Sequence, residues 1–418
     1  MNFYYSDRDL LIVLPKIINT ENYMAFEKNL FAIEQLNEAK EIYLDANDLT
    51  YISSLGLRVI FKLVKNFRNK RIAVFGVSED VYNIFEFTGM INFIRVFKKM
   101  RRVDLNSLKL LGAGMYGSVY RINEELILKV FRNINSKYEV KKLLDVMRIA
   151  FKHDIPTIMP FEIVETEKGV GAVLELLTSN LISQLIQENP EKIDEYIGTM
   201  VELSKTLAST NFEEEEIRSR NRMLLSKLNS VENLLLPEEI ETIKKYINAV
   251  PVRNTAVHGD FHAKNIMMAE GNPILIDMDE FSCGHPLWDI ANINFIYQIM
   301  PRTDLKVADD LYDINGKMTY EEFYFKLIAF STADADIIWN KFFNGYFADY
   351  SQEEKNSILE LVEFYGTFRY IDVLIDLCNI FKGNAEKIAG KVKFIRYFLA
   401  KLKEKNLDEL IKALEIWK

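Results

Sequence analysis

The sequence predicts a small α/β unit over residues 1–100, followed by a larger α+β unit whose C-terminal part is helical. Strand and helix signals alternate through the first hundred residues. The second part begins with a glycine-rich segment, which is followed in sequence by apolar strands. Helical apolar periodicity then dominates residues 290–418. A chain of 418 residues is too long for one ordinary core, so two or three domains are expected.

The elements of the first part follow from the apolar pattern. We predict strands and helices in alternation, which implies a small mixed sheet with helices packed against it. The strands are Leu10–Leu14, Glu41–Leu44, Ile72–Val77 and Phe93–Phe97, and the helices are Tyr23–Ile33, Leu57–Phe67 and Val81–Phe87.

Two segments of this part resemble a known family. Asp48–Leu57 joins a predicted strand to a helix, and Val81–Met90 covers the last helix and its exit. In sequence and element order they are similar to the STAS domain of anti-sigma factor antagonists, over essentially residues 1–100. The resemblance implies a regulatory or docking module with a possible protein partner.

The phosphate-accepting serine of that family is missing here. In phospho-regulated members a serine directly precedes the motif glycine, whereas this chain has Leu55 before Gly56. Ser53 and Ser54 remain nearby, and we expect helix N-capping to be their role. This favours a plain docking or regulatory module over phospho-switching.

A glycine-rich segment begins the second part. Leu111–Tyr120 has the pattern G-x-G-x-x-G-x-V, with Gly112, Gly114, Gly117 and Val119. The glycines alone also fit a dinucleotide-binding turn, but that turn would begin a helix. Here the segment is followed by strands at Ser118–Ile122 and Leu126–Phe131, and the second strand carries Lys129. A glycine-rich hairpin before a lysine-bearing strand is typical of kinases.

This pattern predicts the nucleotide contacts. The glycines allow the backbone to approach the phosphates, and Lys129 would pair with the α- and β-phosphates. Glu139 is the candidate carboxylate that holds Lys129, with Asp145 as the alternative. Val173–Leu177 is predicted to be an edge strand that runs into a hinge. Main-chain groups from Glu175 to Leu177 would then meet the adenine.

Two polar motifs follow short apolar strands. The first motif, His258–Asn265, comes directly after the apolar segment Thr255–Val257. The second motif, Ile276–Asp279, begins with the last residue of the apolar segment Ile274–Ile276. Phosphoryl transfer needs a carboxylate that meets the attacking hydroxyl, which would be Asp260. It also needs oxygen ligands that hold Mg²⁺ against the ATP phosphates. An amide and a second carboxylate, Asn265 and Asp277, would supply them.

As a set, these motifs resemble the aminoglycoside phosphotransferase and choline kinase-like superfamily over roughly residues 105–400. The resemblance implies a bilobal kinase-like fold, with an ATP-binding lobe over 101–178 and a helical lobe over 179–418. It implies that Asp260 is the catalytic base, and that Asn265 and Asp277 are Mg²⁺ ligands. A further group of residues would act around them: Asp279 as an auxiliary group at the metal, Asp289 as a buried brace, and His258 and His262 as loop-orienting hydrogen bonders.

One spacing favours a small acceptor molecule. Eleven residues lie between Asp277 and Asp289, and no A-P-E sequence follows. A protein kinase needs a long peptide-docking segment there. We therefore predict an ATP- and Mg²⁺-dependent kinase acting on a hydroxyl-bearing small molecule such as an aminoglycoside, choline or a sugar. The alternatives are a signalling protein whose kinase-like half phosphorylates or senses nucleotide for a partner, and a nucleotide-binding pseudoenzyme.

Composition excludes other classes. The net charge is −9, and Met1–Val103 contains 15 basic and 12 acidic residues, so the remainder carries about −12. This balance disfavours nucleic-acid binding. The sequence shows no secretory h-region and no apolar run long enough to span a bilayer. The two cysteines, Cys283 and Cys378, form no disulfide framework, and we expect a cytoplasmic protein.

Overall fold

The structure, a computed structural model, describes residues 1–6, 8–113, 117–131, 137–177, 179–213, 215–303 and 318–417, without the side chains of residues 137–139. The chain divides into two compact units, Met1–Val103 (the small unit) and Asp104–Lys418 (the large unit).

The small unit contains a mixed sheet, as predicted. Its five strands lie in the order β1-β2-β4-β6-β7, with β1 antiparallel to β2 and the other pairs parallel. The strands are β1 (Phe3–Ser6), β2 (Asp9–Val13), β3 (Ile17–Ile18), β4 (Glu41–Asp45), β5 (Tyr51–Ile52), β6 (Arg71–Val77), β7 (Arg95–Lys98) and β8 (Arg101–Arg102). The helices are α1 (Tyr23–Phe31), α2 (Gln35–Glu38), α3 (Ser54–Asn66) and α4 (Glu79–Phe87). Every predicted element is present, whereas β1, β3, β5, β8 and α2 were not predicted.

Alternating burial explains how the helices cover this sheet. In β2, Leu10 and Ile12 are fully buried while their neighbours are half-buried. They form one apolar core with Leu44, Val74 and Ile60. The entry to α3 confirms the capping prediction for Ser53, because its Oγ accepts the Gly56 N–H at 3.2 Å, whereas Ser54 is the first residue of the helix.

The large unit begins with an antiparallel sheet and one helix. Within this unit the strands run in the order β12-β13-β11-β10-β9. They are β9 (Lys109–Ala113), β10 (Gly117–Arg121), β11 (Leu126–Phe131), β12 (Pro160–Thr166) and β13 (Gly169–Glu175), with α5 at Lys137–Lys152. The predicted hairpin is confirmed. The prediction of an edge strand over 173–177 is wrong, because β13 pairs on both sides, with β11 and β12.

The rest of the large unit is mainly helical, as predicted. Its short strands form two small sheets, β14-β16-β17 and β15-β18. These strands are β14 (Asn180–Leu181), β15 (Ala256–Val257), β16 (Ile266–Ala269), β17 (Asn272–Leu275) and β18 (Ser282–Cys283). The helices are α6 (Ile182–Glu188), α7 (Ile193–Ser209), α8 (Arg220–Asn229), α9 (Pro237–Ala249), α10 (Leu287–Asn294), α11 (Tyr320–Ile328), α12 (Thr332–Tyr346), α13 (Gln352–Ile380), α14 (Ala385–Lys403), α15 (Leu407–Leu410) and α16 (Ala413–Ile416).

Helix α10 lies at the centre of this helical part. All eight of its residues are buried, and it packs along α13. Aromatic side chains fill the contact, where the rings of Trp288 and Tyr365 lie edge to face at 5.4 Å. Directly after α10, the rings of Phe295 and Tyr370 lie edge to face at 4.7 Å. Among the described residues, no helix combines the length and apolar character needed to cross a bilayer.

Candidate active site

The loop that follows β15 is held by a buried carboxylate. Asp289 accepts the N–H groups of His258 and Gly259, at 2.8 and 2.7 Å. Gly259 has φ +85°, and a Cβ there would meet the carbonyl oxygen of Glu280 at 2.6 Å, so the tight turn needs glycine. Burial raises the pKa of Asp289, and the two N–H groups act in the opposite direction. The predicted bracing role of Asp289 is confirmed.

The two histidines of the loop orient it, as predicted. His258 is fully buried, its Nδ1 accepts the Asp260 N–H at 3.2 Å, and its Nε2 lies 3.0 Å from the Ile276 carbonyl oxygen. His262 Nδ1 accepts the Lys264 N–H at 3.2 Å, and its Nε2 lies 3.5 Å from Asp260 Oδ2. These bonds set the direction in which the Asp260 side chain leaves the loop.

Asp260 is an ionised carboxylate surrounded by donors. Asn265 Nδ2 donates to its Oδ2 at 3.1 Å, and Asn292 Nδ2 donates to its Oδ1 at 3.3 Å. Although burial opposes ionisation, His262, Arg369 and His258 hold the pKa of Asp260 well below its usual range. The side chain is still 34% exposed, so the hydroxyl group of a molecule that enters from solvent can reach it.

A hairpin brings Asn265 and Asp277 to the same end. Ile266 in β16 pairs with Leu275 in β17, and just outside this pair the Ile276 N–H donates to the Asn265 carbonyl at 3.0 Å. The Asn265 side chain directs its Nδ2 towards Asp260. Its Oδ1 is therefore the atom that would bind a metal ion. Asp277 has left-handed backbone angles (φ 59°, ψ 57°), which Asp tolerates better than most residues. The two segments therefore meet beside Asp260.

Oxygen donors of this kind suit Mg²⁺. The ion prefers carboxylate and amide oxygens, and in nucleotide sites it usually takes one or two of them together with phosphate and water oxygens. Among the described residues, no group of three or more His, Cys, Asp or Glu side chains could hold a metal ion. Asn265 and Asp277 supply one amide oxygen and one carboxylate at the same end of the hairpin, which fits an ion that they would hold together with phosphates.

Lys129 connects the antiparallel sheet to this hairpin. Its Nζ donates to Asp277 Oδ1 at 2.7 Å and to both oxygens of Asp279 at 2.8 Å. Burial opposes its charge, but the two carboxylates raise the pKa of Lys129. Burial also raises the pKa of Asp279, to about 6, against the opposing effect of Lys129. Asp277 and Asp279 were not predicted as partners of this lysine.

The predicted partners of Lys129 lie elsewhere or outside the described side chains. The side chain of Glu139 is not among those described, so its position remains a prediction. Asp145, the alternative, forms ion pairs with Lys141 and with Arg148, the latter at 3.4 Å.

The glycine-rich hairpin places Gly112 and Val119 in one row with Lys129. Val119 in β10 pairs with Gly112 in β9 on one side and with Lys129 in β11 on the other. A Cβ on Gly117 would meet the Val130 carbonyl oxygen at 2.4 Å, so this close strand pairing requires glycine. Gly114 lies outside the described residues.

The segment after β13 was predicted to meet the adenine. The N–H groups of Glu175 and Leu176 already donate within the protein, to the carbonyls of Met159 and Glu125 at 3.2 and 2.7 Å. The predicted hydrogen bonds to adenine would therefore come mainly from the main chain of Leu177.

Two residues that lie beside Asp260 were not predicted from the sequence. Asn292 donates to Asp260 Oδ1, and its own Oδ1 accepts from Arg369 Nε at 3.0 Å. Arg369 NH2 lies 3.9 Å from Asp260 Oδ1. Asn292 follows Asp289 by three residues, and this helical spacing could have indicated it. No local signal pointed to Arg369, which lies on α13.

Comparison with known proteins identifies both units. The model of the phosphotransferase enzyme family matches residues 107–313, and the STAS domain model matches residues 2–102. No curated protein gives a significant match. The matches confirm both resemblances inferred from the sequence.

The chain is also similar to several solved structures. One is a choline/ethanolamine kinase family protein from Mesorhizobium loti, at 15% identity over 74% of this chain and 92% of that chain, with a TM-score of 0.44. Another is the ADP-bound aminoglycoside phosphotransferase APH(2″)-Ib, at 15% identity over 78% and 99%, with a TM-score of 0.45. A third, assigned as an anti-sigma factor antagonist from Thermotoga maritima, has 23% identity over 23% and 85%, with a TM-score of 0.21.

Proposed function

Residues 107–313 belong to the phosphotransferase enzyme family and residues 2–102 to the STAS domain family, and from this premise we propose the reaction and the roles of the residues. The large unit transfers the γ-phosphate of ATP, with Mg²⁺, to a hydroxyl group of a small molecule. The small unit regulates this activity or docks a protein partner.

The observation that carries the proposal is the meeting of three groups in the large unit. Asp260 is ionised and partly exposed, Asn265 donates to it, and Asp277 lies at the end of the same hairpin as Asn265. Lys129 reaches Asp277 from the antiparallel sheet. A base, two oxygen ligands and a phosphate-binding cation are the parts that phosphoryl transfer needs.

In the proposed reaction Asp260 acts on the acceptor hydroxyl. Its carboxylate accepts a hydrogen bond from the hydroxyl and orients the oxygen towards the γ-phosphorus. The new oxygen–phosphorus bond forms as the bond to ADP breaks, and the hydroxyl proton passes to Asp260. Asn265 and Asp277 would hold Mg²⁺, which when bound neutralises charge on the phosphates.

The nucleotide contacts are proposed on the same basis. Gly112, Gly114 and Gly117 would let the hairpin backbone approach the phosphates, with Val119 beside the adenine. Lys129 would pair with the α- and β-phosphates, with Glu139 as its candidate brace. Main-chain groups from Glu175 to Leu177 would meet the adenine, chiefly those of Leu177, because the N–H groups of Glu175 and Leu176 already donate within the protein. The row formed by Gly112, Val119 and Lys129 supports this arrangement.

The segment between Asp277 and Asp289 supports a small acceptor over a peptide. Every residue from Phe281 to Asp289 is buried. Two of them form β18, which pairs with β15, and the last three begin α10. Residues 281–289 are part of the buried core, so they present no exposed strand to which a peptide could bind.

For the small unit we propose docking or regulation without phosphorylation of its helix entry. Ser53 is buried and caps α3, and Leu55 stands before the motif glycine. Both observations disfavour phosphorylation at Ser53 and at the position before the motif glycine, whereas Ser54, the first residue of α3, is exposed.

A direct assay tests the proposed function. Full-length protein is incubated with Mg·ATP and pooled hydroxyl compounds, and ADP release and new phosphate esters are followed by a coupled assay and ³¹P NMR. Acceptor-dependent ADP release that Asp260→Asn removes is the expected result. If no compound in a broad set of metabolites and aminoglycosides accepts phosphate, the proposed function is wrong.

A further inference from the structure

Arg369 brings a guanidinium group to the side of Asp260. Its NH2 lies 3.9 Å from Asp260 Oδ1, and its Nε donates to Asn292 Oδ1 at 3.0 Å. Asn292 in turn donates to the same oxygen of Asp260. The Arg369 side chain is 13% exposed. Asn292 is only 1% exposed, so it holds Asp260 from the protein interior, and Arg369 is the one of the two groups that solvent reaches beside Asp260.

A buried ion cluster holds Arg369 in position. Arg369 NH1 donates to Asp372, which also accepts from Arg220 NH2 at 2.9 Å. Arg220 and Asp372 are each only 3% exposed. Breaking such a pair leaves a buried charge without its partner, which is strongly unfavourable. The guanidinium therefore cannot easily move away from an approaching substrate.

The carboxylates of this cluster are already paired with cations of the protein. Lys227 Nζ lies 2.8 Å from Glu280 and from Asp376, and 3.2 Å from Asp372. Arg220 pairs with Glu280 as well. The cluster contains three cations and three carboxylates, which are Arg220, Lys227, Arg369, Glu280, Asp372 and Asp376. Within this described cluster, an ammonium group of a substrate would have to displace an internal cation.

We propose that Arg369 selects the acceptor by charge. The molecule phosphorylated at Asp260 is a neutral or anionic hydroxyl compound, such as a sugar, a polyol or a hydroxy acid, and it carries no ammonium group beside the reacting hydroxyl. This inference rests on the proposed function, because it requires the acceptor hydroxyl to meet Asp260.

The discrimination follows from Coulomb repulsion. An ammonium group on the carbon next to the reacting hydroxyl would approach the Arg369 guanidinium, whose NH2 lies 3.9 Å from Asp260 Oδ1. Attraction to the Asp260 carboxylate and the pairing of Arg369 with Asp372 offset part of the repulsion, so we expect kcat/KM to fall by about tenfold or more. A neutral hydroxyl or a carboxylate in the same place would instead accept a hydrogen bond from the guanidinium.

Matched acceptor pairs test this selection. The full chain with Mg·ATP is assayed with D-glucose against D-glucosamine, and with glycerol against 3-amino-1,2-propanediol. Hydroxy acids, sugar phosphates, nucleosides, choline and kanamycin complete the set. We expect the neutral member of a pair to be preferred at least tenfold in kcat/KM. Arg369→Gln should reduce that preference at least fivefold, and Arg369→Lys should restore most of it.

Lys341→Gln provides the control, because it removes an exposed cation that pairs with Asp194. This variant should keep the wild-type preference. Turnover that favours kanamycin or choline overturns the inference, and so does a preference that is the same in Arg369→Gln and wild type. If Mg·ATP binds but no neutral or anionic compound is phosphorylated, the inference fails while nucleotide binding stands. If Mg·ATP does not bind, the proposed function itself fails, and the inference with it.

Discussion

Lys129 Nζ donates to Asp277 Oδ1 at 2.7 Å, although the two residues are 148 positions apart. This contact joins the strand that carries the lysine to the end of the hairpin that carries the carboxylate. The same ammonium also contacts both oxygens of Asp279. The proposed nucleotide-binding half and the proposed catalytic half of the site are thus connected through one cation.

Replacing Asp260 by Asn should lower turnover by about a hundredfold or more, because the amide cannot accept the hydroxyl proton. Binding of Mg·ATP should remain close to that of the wild type, since Asp260 is proposed to touch the acceptor. Steady-state kinetics and calorimetry measure the two effects. Asp408→Asn, the same change at an exposed carboxylate, is the control. Equal turnover in wild type and Asp260→Asn would show that the base is another group.

Replacing Asp277 by Asn should weaken the binding of Mg·ATP, because one of the two protein oxygens proposed for the ion loses its charge. Asn suits this position since it tolerates the left-handed backbone that Asp277 adopts. Calorimetric titrations with Mg·ATP, and with ATP in EDTA, separate the metal from the nucleotide. The affinity for metal-free ATP should not fall. A variant with wild-type affinity for Mg·ATP would contradict the ligand role.

The small unit should acquire no stoichiometric phosphate in residues 50–57 when the protein is incubated with Mg·ATP. Leu55 cannot accept a phosphate, and Ser53 is buried with its hydroxyl bonded to the Gly56 N–H. A phosphate on Ser53 would compete with this cap. Intact-mass and peptide mass spectrometry give the stoichiometry. Near-complete modification of Ser53 or Ser54 would favour the signalling alternative instead.

The free energy of unfolding should fall as the pH is lowered through the range in which His285 is protonated in the unfolded state but not in the folded state. Burial, followed by the charge of Arg253, lowers the pKa of His285 from 6.5 to about 3. Among the described residues its Nε2 has no hydrogen-bond partner, and its Nδ1 accepts the Leu287 N–H at 3.1 Å. Between these two pKa values the unfolded state binds the extra proton, so acid favours unfolding.

His285→Asn tests this effect, because Asn can still accept the Leu287 N–H but does not titrate. From pH 6.5 to 4.5 the wild type should lose about 2 kcal/mol more free energy of unfolding than the variant. Urea unfolding followed by tryptophan fluorescence reports on the large unit, since Trp288, Trp339 and Trp417 all lie there. Parallel stability curves for the two proteins would refute the prediction.

The sequence by itself determined the local structure and most of the proposed chemical groups. Apolar periodicity predicted the β2, β4 and β6 strands and their helices, and Ser53 predicted the cap of α3. The loop and hairpin motifs indicated Asp260, Asn265 and Asp277. Such signals are readable because periodicity, capping and turn formation depend on residues a few positions apart.

Only the tertiary structure decided how distant segments meet. It placed β13 between two strands, although the sequence predicted an edge, because strand order depends on pairing across the whole sheet. It paired Lys129 with Asp277 and Asp279, and it brought Arg369 and Asn292 beside Asp260. Contacts of this kind arise from the packing of α10 against α13 and of the sheet against the hairpin. No short stretch of sequence encodes them.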